Sequence, residues 1–144
     1  MAGPTVLDES KVNLATQRVA GTMFAANNIT VHLFEGSSTP DHTDDQASLA
    51  AIETAFGGYS PQSIGAWGTP VLNALFQAIT IGSTVTFLNT SGSDSNPLTG
   101  WWYEDTFQAK AILVAKFATP IIIPAGQSFT FTPTWTDTGA NLTT

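Results

Sequence analysis

The chain contains no cysteine and few charged residues. The first absence excludes disulfide bonds, thiolate metal sites and cysteine nucleophiles. Charged residues make up 10% of the chain, whereas a typical soluble domain has about 25%. Eleven acidic residues face four basic ones, so the formal net charge is −7. Four dispersed cations cannot neutralise a phosphate backbone, so nucleic acid is not expected as a partner. An acidic chain is not attracted to anionic lipid, so a membrane surface is not expected as a partner either.

The sequence also lacks a long apolar run. No stretch approaches the roughly 18 apolar residues that span a membrane. The N-terminus shows no basic segment followed by an apolar one, as a signal peptide would. The glycosylation sequons at Asn28, Asn89 and Asn141 are therefore interpreted as chance matches in a Thr-rich chain.

Uncharged polar residues (Ser, Thr, Asn and Gln) are abundant, and hydrophobic residues make up 42% of the chain. That composition suits a β protein or an assembled shell. The 144 residues, without repeat or linker, predict a single domain over 1–144. Residues 1–6 are uncharged and contain Pro4, which is compatible with a flexible arm.

Two short helices are predicted in the N-terminal half. In residues 7–20, acidic residues begin the segment, Arg18 lies near its end and Gly21 follows. In residues 44–56, Thr43 is the predicted N-cap and Gln46 its capping-box partner. The residues expected on the buried face of this second helix are Leu49, Ile52 and Phe56.

The remaining segments favour strands. Residues 29–34 alternate, with Ile29, Val31 and Leu33 on one face. Residues 100–106 and 111–117 are predicted to pair as a hairpin, and residues 128–135 alternate Ser or Thr with larger side chains. Pro133 cannot donate to a ladder, so this last strand is expected to lie at an edge or to end there. Helices followed by six to eight strands predict a single-domain β-sandwich, jelly-roll-like.

The sequence contains no recognisable catalytic motif. No nucleophile elbow, phosphate-binding loop or dinucleotide fingerprint is present. Glu104 and Asp105 face opposite sides of a predicted strand, so an acid/base pair would need a distant partner such as Glu35. We therefore predict no enzyme, no catalytic residues and no cofactor.

A metal site is not expected either. Residues 41–45 hold three aspartates and a histidine, a set that resembles cation ligands. The spacing fits no calcium loop, and helix capping already accounts for Thr43, Asp44 and Asp45. His32 lies in a predicted strand with no acidic neighbour, which favours a hydrogen-bonded or interfacial histidine over a ligand.

Large aromatic residues are the main candidates for contact with other molecules. Trp101 and Trp102 are neighbours on one strand, so one is expected to face inward and the other outward. An outward tryptophan on a chain this poor in charge resembles an interface anchor, with a sugar-stacking platform as the alternative. The predicted interface residues are Trp101, Trp102, Phe107, Pro133 and Trp135.

The order of segments resembles a loose group of small structural proteins of tailed bacteriophages, including decoration proteins. The matching pieces are Val31-His-Leu-Phe34, Thr39-Pro40, Gly58-Tyr59, Gly100-Trp-Trp-Tyr103, Ile112-Leu-Val-Ala-Lys-Phe117 and Phe129-Thr-Phe-Thr-Pro-Thr134. The helical character of residues 44–56 and the Trp101-Trp102 pair depart from the pattern.

The resemblance implies a virion component and no catalytic residues. The sequence therefore predicts a capsid decoration subunit that stabilises the shell by contact. Its expected partners are other virion proteins, the major capsid protein first among them, and further copies of itself. The alternative is a tail- or head-fibre module that binds host glycans.

Overall fold

The computed structural model describes residues 5–7, 29–69, 71–72 and 78–137. Within them the chain is mostly β, with several antiparallel sheets and one very short helix. The elements are β1 (Thr5–Val6), β2 (Ile29–Glu35), α1 (Gln46–Ala50), β3 (Gln62–Ser63), β4 (Val71–Leu72), β5 (Ala78–Ile81), β6 (Val85–Leu88), β7 (Leu98–Asp105), β8 (Lys110–Ile121), β9 (Ser128–Phe131) and β10 (Thr134–Asp137).

Three antiparallel sheets make up the described part of the chain. The largest has the order β1-β8-β7-β2-β3, and the smaller ones are β10-β5-β4 and β6-β9. The predicted hairpin is confirmed, because β7 and β8 pair from Asp105↔Lys110 back to Leu98↔Ile121. A mostly β fold is thus confirmed, while these sheets do not by themselves establish a sandwich or jelly roll.

The five-stranded sheet is buried on both faces. On one face, Trp101 and Tyr103 of β7 pack against Phe131 of β9, with ring centroids 5.3 and 6.5 Å apart. On the other face, Trp102 belongs to a second apolar cluster that includes Leu49 of α1. The second cluster consists of Leu7, Phe34, Leu49, Trp102, Ala111 and Val114.

The predicted alternation of β2 is confirmed. Ile29, Val31 and Leu33 lie in the first apolar cluster, whereas Phe34 lies in the second. Because both faces are covered, β2 and β7 are buried along almost their whole length.

The helix is shorter than predicted and starts later. Only Gln46–Ala50 is helical, and Asp45, not Thr43, is the N-cap. Asp45 accepts from the Ser48 amide at 2.9 Å, and the Ser48 hydroxyl accepts from the Asp45 amide at 3.0 Å. The helix ends early because the next residues bond to β2: the Ile52 carbonyl accepts from Glu35 N, and Thr54 N donates to Leu33 O. Tertiary hydrogen bonds therefore override the apolar periodicity of residues 44–56.

The expectations for the N-terminus fall partly outside the described residues. Of residues 7–20, only Leu7 is described; it is buried and its amide donates to Ile112 O at 2.9 Å. Of residues 1–6, Thr5 and Val6 form β1 and pair with Val114 and Leu113 of β8.

Pro133 marks a break, as its chemistry predicts. The alternating segment divides there into β9 and β10, and each lies at the edge of a small sheet. The Tyr103 hydroxyl bonds to both the amide and the carbonyl of Thr134, at 3.1 and 3.2 Å. This contact joins β10 to the main sheet, and burial raises the pKa of Tyr103.

The Asn89 side chain, which belongs to one of the three sequons, is buried and hydrogen-bonded within the fold. Asn89 is fully buried, and its amide donates to the carbonyls of Ser93 and Ile123, both at 2.9 Å. Its side-chain oxygen accepts from the Ser91 amide and hydroxyl. A side chain engaged in this way is not accessible to a glycosyltransferase, so Asn89 is a structural residue that holds the loop before β7.

We predict that Gly100→Ala destabilises the fold by about 2–3 kcal/mol, because overpacking of a buried site forces neighbours to move. A methyl group at Gly100 would overlap the Phe34 ring and the Ala115 carbonyl oxygen. Gly65→Ala is the matched control, since a methyl group there meets no atom within 4 Å. Urea unfolding of both variants measures the difference, and equal stabilities would contradict the close approach of β7 to the Phe34 ring.

Candidate functional site

A histidine lies between two glutamates on the second face of the main sheet. The Nδ1 atom of His32 is 2.8 Å from Glu53 Oε1, and its Nε2 atom is 2.9 Å from Glu104 Oε2. His32 belongs to β2, Glu104 to β7, and Glu53 to an isolated bridge with β2 after α1. The three side chains are 8, 20 and 13% exposed for His32, Glu53 and Glu104. This arrangement is called the His32 cluster below.

Each carboxylate of the His32 cluster has a second donor. The Tyr59 hydroxyl donates to Glu53 Oε1 at 2.6 Å and accepts from the Leu33 amide at 3.0 Å. The Gln46 side-chain amide donates to Glu104 Oε1. The cluster therefore joins α1, β2, β7 and the Glu53 and Tyr59 segment by side-chain hydrogen bonds.

The His32 ring is also stacked. Its centroid lies 3.9 Å from that of Trp102, with an interplanar angle of 19°. Trp102 is 1% exposed, and its indole N–H has no hydrogen-bond partner among the described residues. The ring is thus held at both nitrogens and on one face, which fixes its orientation.

The electrostatics of the cluster favour the ionised form of Glu53. Burial alone would raise the pKa of Glu53, but the hydrogen bonds from His32 and Tyr59 and the charge of His32 outweigh it, so the pKa of Glu53 lies below its ordinary value. The pKa of Tyr59 is raised, first by burial and then by its hydrogen bond to Glu53. A protonated imidazole donates from both nitrogens, whereas the neutral ring donates from one.

The contacts of the His32 cluster join α1, β2, β7 and the segment that holds Glu53 and Tyr59. The His32 ring occupies the space between Glu53 and Glu104, so the two carboxylates do not face each other across an open gap. No hydroxyl nucleophile contacts His32 among the hydrogen bonds of the described residues. Within those residues, no group of three or more His, Asp or Glu could hold a metal ion.

The other acidic residues singled out in the sequence are used locally. Glu35 accepts from Thr54 and Asn96, at 2.8 and 3.0 Å, and so is not joined to Glu104. Asp105 is buried and accepts from the amides of Phe107 and Gln108 in the turn after β7.

The aspartates of residues 41–45 serve as local acceptors. Asp41 accepts from the amide and hydroxyl of Thr43, and Asp44 accepts from the Asp41 amide. Asp45 caps α1. The expected capping is thus found for Asp45, whereas Asp41, Thr43 and Asp44 bond to one another in the turn before the helix.

The predicted interface residues occupy different environments. Trp101 and Trp102 lie on opposite faces of the sheet, but both are buried, at 8 and 1% exposure. The expectation of an outward tryptophan is not met, because Leu7, α1 and the residues after it cover the second face. Pro133 is buried and Trp135 is partly buried against the first cluster. Phe107 is exposed at 79%, so it alone of the five is a large, freely accessible side chain.

Sequence reasoning missed the His32 cluster as a unit. It predicted a hydrogen-bonded or interfacial role for His32 and singled out Glu104. Glu53, however, lies 21 residues from His32 along the chain, and Glu104 lies 72 residues from it. The one available signal was a histidine within an otherwise buried strand, which requires partners that the sequence does not name.

Comparisons with models of protein families, with curated proteins and with solved structures gave no match. Within the described residues, no helix has the length and hydropathy needed to cross a membrane.

We predict that His32→Ala costs about 3 kcal/mol in the free energy of unfolding, because it leaves two largely buried carboxylates without their shared hydrogen-bond partner. His42→Ala is the matched control: His42 is exposed, and surface substitutions usually change stability by less than about 0.5 kcal/mol. Chemical denaturation distinguishes them. Similar losses in the two variants would show that the cluster contributes little.

Acid titration provides a second test. The pKa of Glu53 is lower in the folded state than its ordinary value of 4.5. Its stabilising contribution is therefore complete above about pH 4.5 and falls as the pH drops through the lower folded pKa. Glu53→Gln should be less stable than the wild type at neutral pH, and the gap should narrow in that acidic window. A gap that stayed constant with pH would contradict the assigned role of Glu53.

Proposed function

We propose that this chain is a non-enzymatic structural subunit of a bacteriophage virion, most specifically a capsid decoration protein. It acts by burying apolar surface against shell subunits, the major capsid protein being its main partner. No cofactor takes part in this action. The support comes from the resemblance of the chain's segments, its low charge, and the exposed apolar side chains described next.

The observation that carries the proposal is an apolar surface on the small β10-β5-β4 sheet. Val71 pairs directly with Ile79, and Ile81 follows two residues later on the same strand, so the three side chains share one face. Val71 and Ile81 are 59 and 52% exposed, and Ile79 is partly exposed. We call these three residues the β5 face. Neighbouring exposed aliphatic side chains mark a contact surface more often than isolated ones do.

The framework behind the β5 face suits a role in contact. Trp135 of β10 lies opposite Thr80 of β5 and packs against the first apolar cluster, so the small sheet is anchored to the core. The contacts of Phe131 with Trp101 and Tyr103 support a sandwich-like arrangement, which we include in the proposal. A rigid support lowers the ordering cost of binding.

The alternative glycan-binding role receives less support. A sugar platform would require exposed aromatic rings close together, and Phe107 is the one exposed aromatic among the described residues. The remaining aromatic rings of this part are at least partly buried. The structure therefore favours protein contact over glycan stacking as the proposed role.

We predict that the purified chain binds undecorated capsids and raises their melting temperature. Ile81→Asp should weaken this binding about tenfold or more, since a charge would then be desolvated at the centre of the contact. Leu88→Asp is the matched control, because Leu88 is 46% exposed but belongs to the β6-β9 sheet. Co-sedimentation and capsid melting are the measurements.

Two results would count against the role. Absence of wild-type binding would remove the decoration role itself. Equal binding by the Ile81→Asp and Leu88→Asp variants would show that the β5 face is not the contact surface.

A further inference from the structure

The tip of the β7–β8 hairpin presents an aromatic side chain on a fixed turn. Residues 106–109 form the turn, and Phe107 within it is 79% exposed. Asp105 accepts from the Phe107 and Gln108 amides at 3.0 and 3.3 Å, and Ala109 has a φ of 53°. The turn is thus held by its own hydrogen bonds, and a large apolar side chain projects from it. We call residues 106–109 the Phe107 tip.

A groove lies farther along the same hairpin. It has a volume of about 610 Å³, a size within the range of pockets that hold small ligands or single side chains. Its walls include Val114, Lys116 and Phe117 of β8 and, from other segments, Pro40 and Thr99. We call it the β8 groove.

The Phe107 tip cannot enter the β8 groove of its own chain. β8 runs away from the tip in an antiparallel hairpin, and Lys116 lies six residues beyond Lys110, roughly 20 Å along the strand. A contact between the tip and the groove can therefore form only between two copies of the chain.

The two surfaces share a lack of acidic side chains among the described residues. The chain carries eleven acidic residues and a net charge of −7, so most contacts between copies would place acids near acids. The Phe107 tip has no charged residue, and no acidic residue is among the described residues that line the β8 groove. The groove contributes one cation, Lys116, and an ammonium group is attracted to the face of an aromatic ring.

We infer that the Phe107 tip of one copy docks in the β8 groove of a second copy. The Phe107 tip and the β8 groove belong to different parts of the surface, so the contact is head-to-tail. Successive contacts of this kind either close into a ring of subunits or continue as an open filament. A buried phenylalanine covers roughly 150–250 Å², far less than the 1,200–2,000 Å² of a stable interface. The association of free subunits is therefore weak and concentration-dependent. This inference does not depend on the proposed role on the capsid.

Sedimentation velocity of the free full-length chain over a wide concentration range tests the inference. The wild type is expected to associate as concentration rises. Phe107→Ala should weaken the association about 30-fold, the loss expected when one buried phenylalanine side chain is removed. Ala118→Glu, at an exposed position of the groove wall, should weaken it as well by placing an acid there. Both sites are exposed, so circular dichroism should show unchanged folding.

Mixing the two variants provides the decisive comparison. Phe107→Ala keeps an intact groove and Ala118→Glu keeps an intact tip, so their mixture should form a hetero-complex that neither forms alone. Ile122→Ala is the control, because Ile122 is 52% exposed but belongs to neither surface, and it should associate like the wild type. A wild type that stays monomeric, a Phe107→Ala variant that associates normally, or a mixture without a hetero-complex would each overturn the inference. Capsid binding is measured separately, so either proposal can fail without the other.

Discussion

Burial of both faces of the five-stranded sheet is the constraint on which the rest of the structure depends. β2 and β7 lie in the middle of that sheet and are covered on one side by the aromatic residues of β6 and β9 and on the other by α1 and Leu7. A buried polar side chain on these strands can gain hydrogen bonds only from partners inside the protein. His32 and Glu104 are such residues, and the position of Glu53 after α1 meets this requirement.

The early end of α1 follows from the same constraint. Beyond Ala50 the chain turns and bonds to the free edge of β2, which carries Glu53 to His32 and Thr54 to Glu35. A longer helix would satisfy the local apolar pattern but leave this edge unpaired and remove Glu53 from the Nδ1 atom of His32. The contact between His32 and Glu53 thus depends on the backbone hydrogen bonds that join residues 52–54 to β2. The His32 cluster is therefore part of the framework of the main sheet.

The low content of charged residues is matched by the use of several acidic side chains inside the fold. Many of the acidic side chains of the described residues are committed to internal contacts: Glu53 and Glu104 to His32, Glu35 to Thr54 and Asn96, and Asp105 to the hairpin turn. Surfaces such as the β5 face and the Phe107 tip are left uncharged. A strongly acidic chain can associate with neighbours when its contact surfaces exclude acids, and this arrangement underlies both proposals.

The sequence by itself determined the features that depend on local period and turn chemistry. Alternation identified β2 and its inward face, the hairpin of β7 and β8 followed from two strand-forming runs, and Pro133 marked the break between β9 and β10 because proline cannot donate to a ladder. The tertiary structure alone decided which strand faces are covered, and so it buried both Trp101 and Trp102 where one was expected outside. It also brought Glu53 and Glu104 to His32 across 21 and 72 residues, since contacts between segments distant in the chain depend on packing that no local pattern encodes.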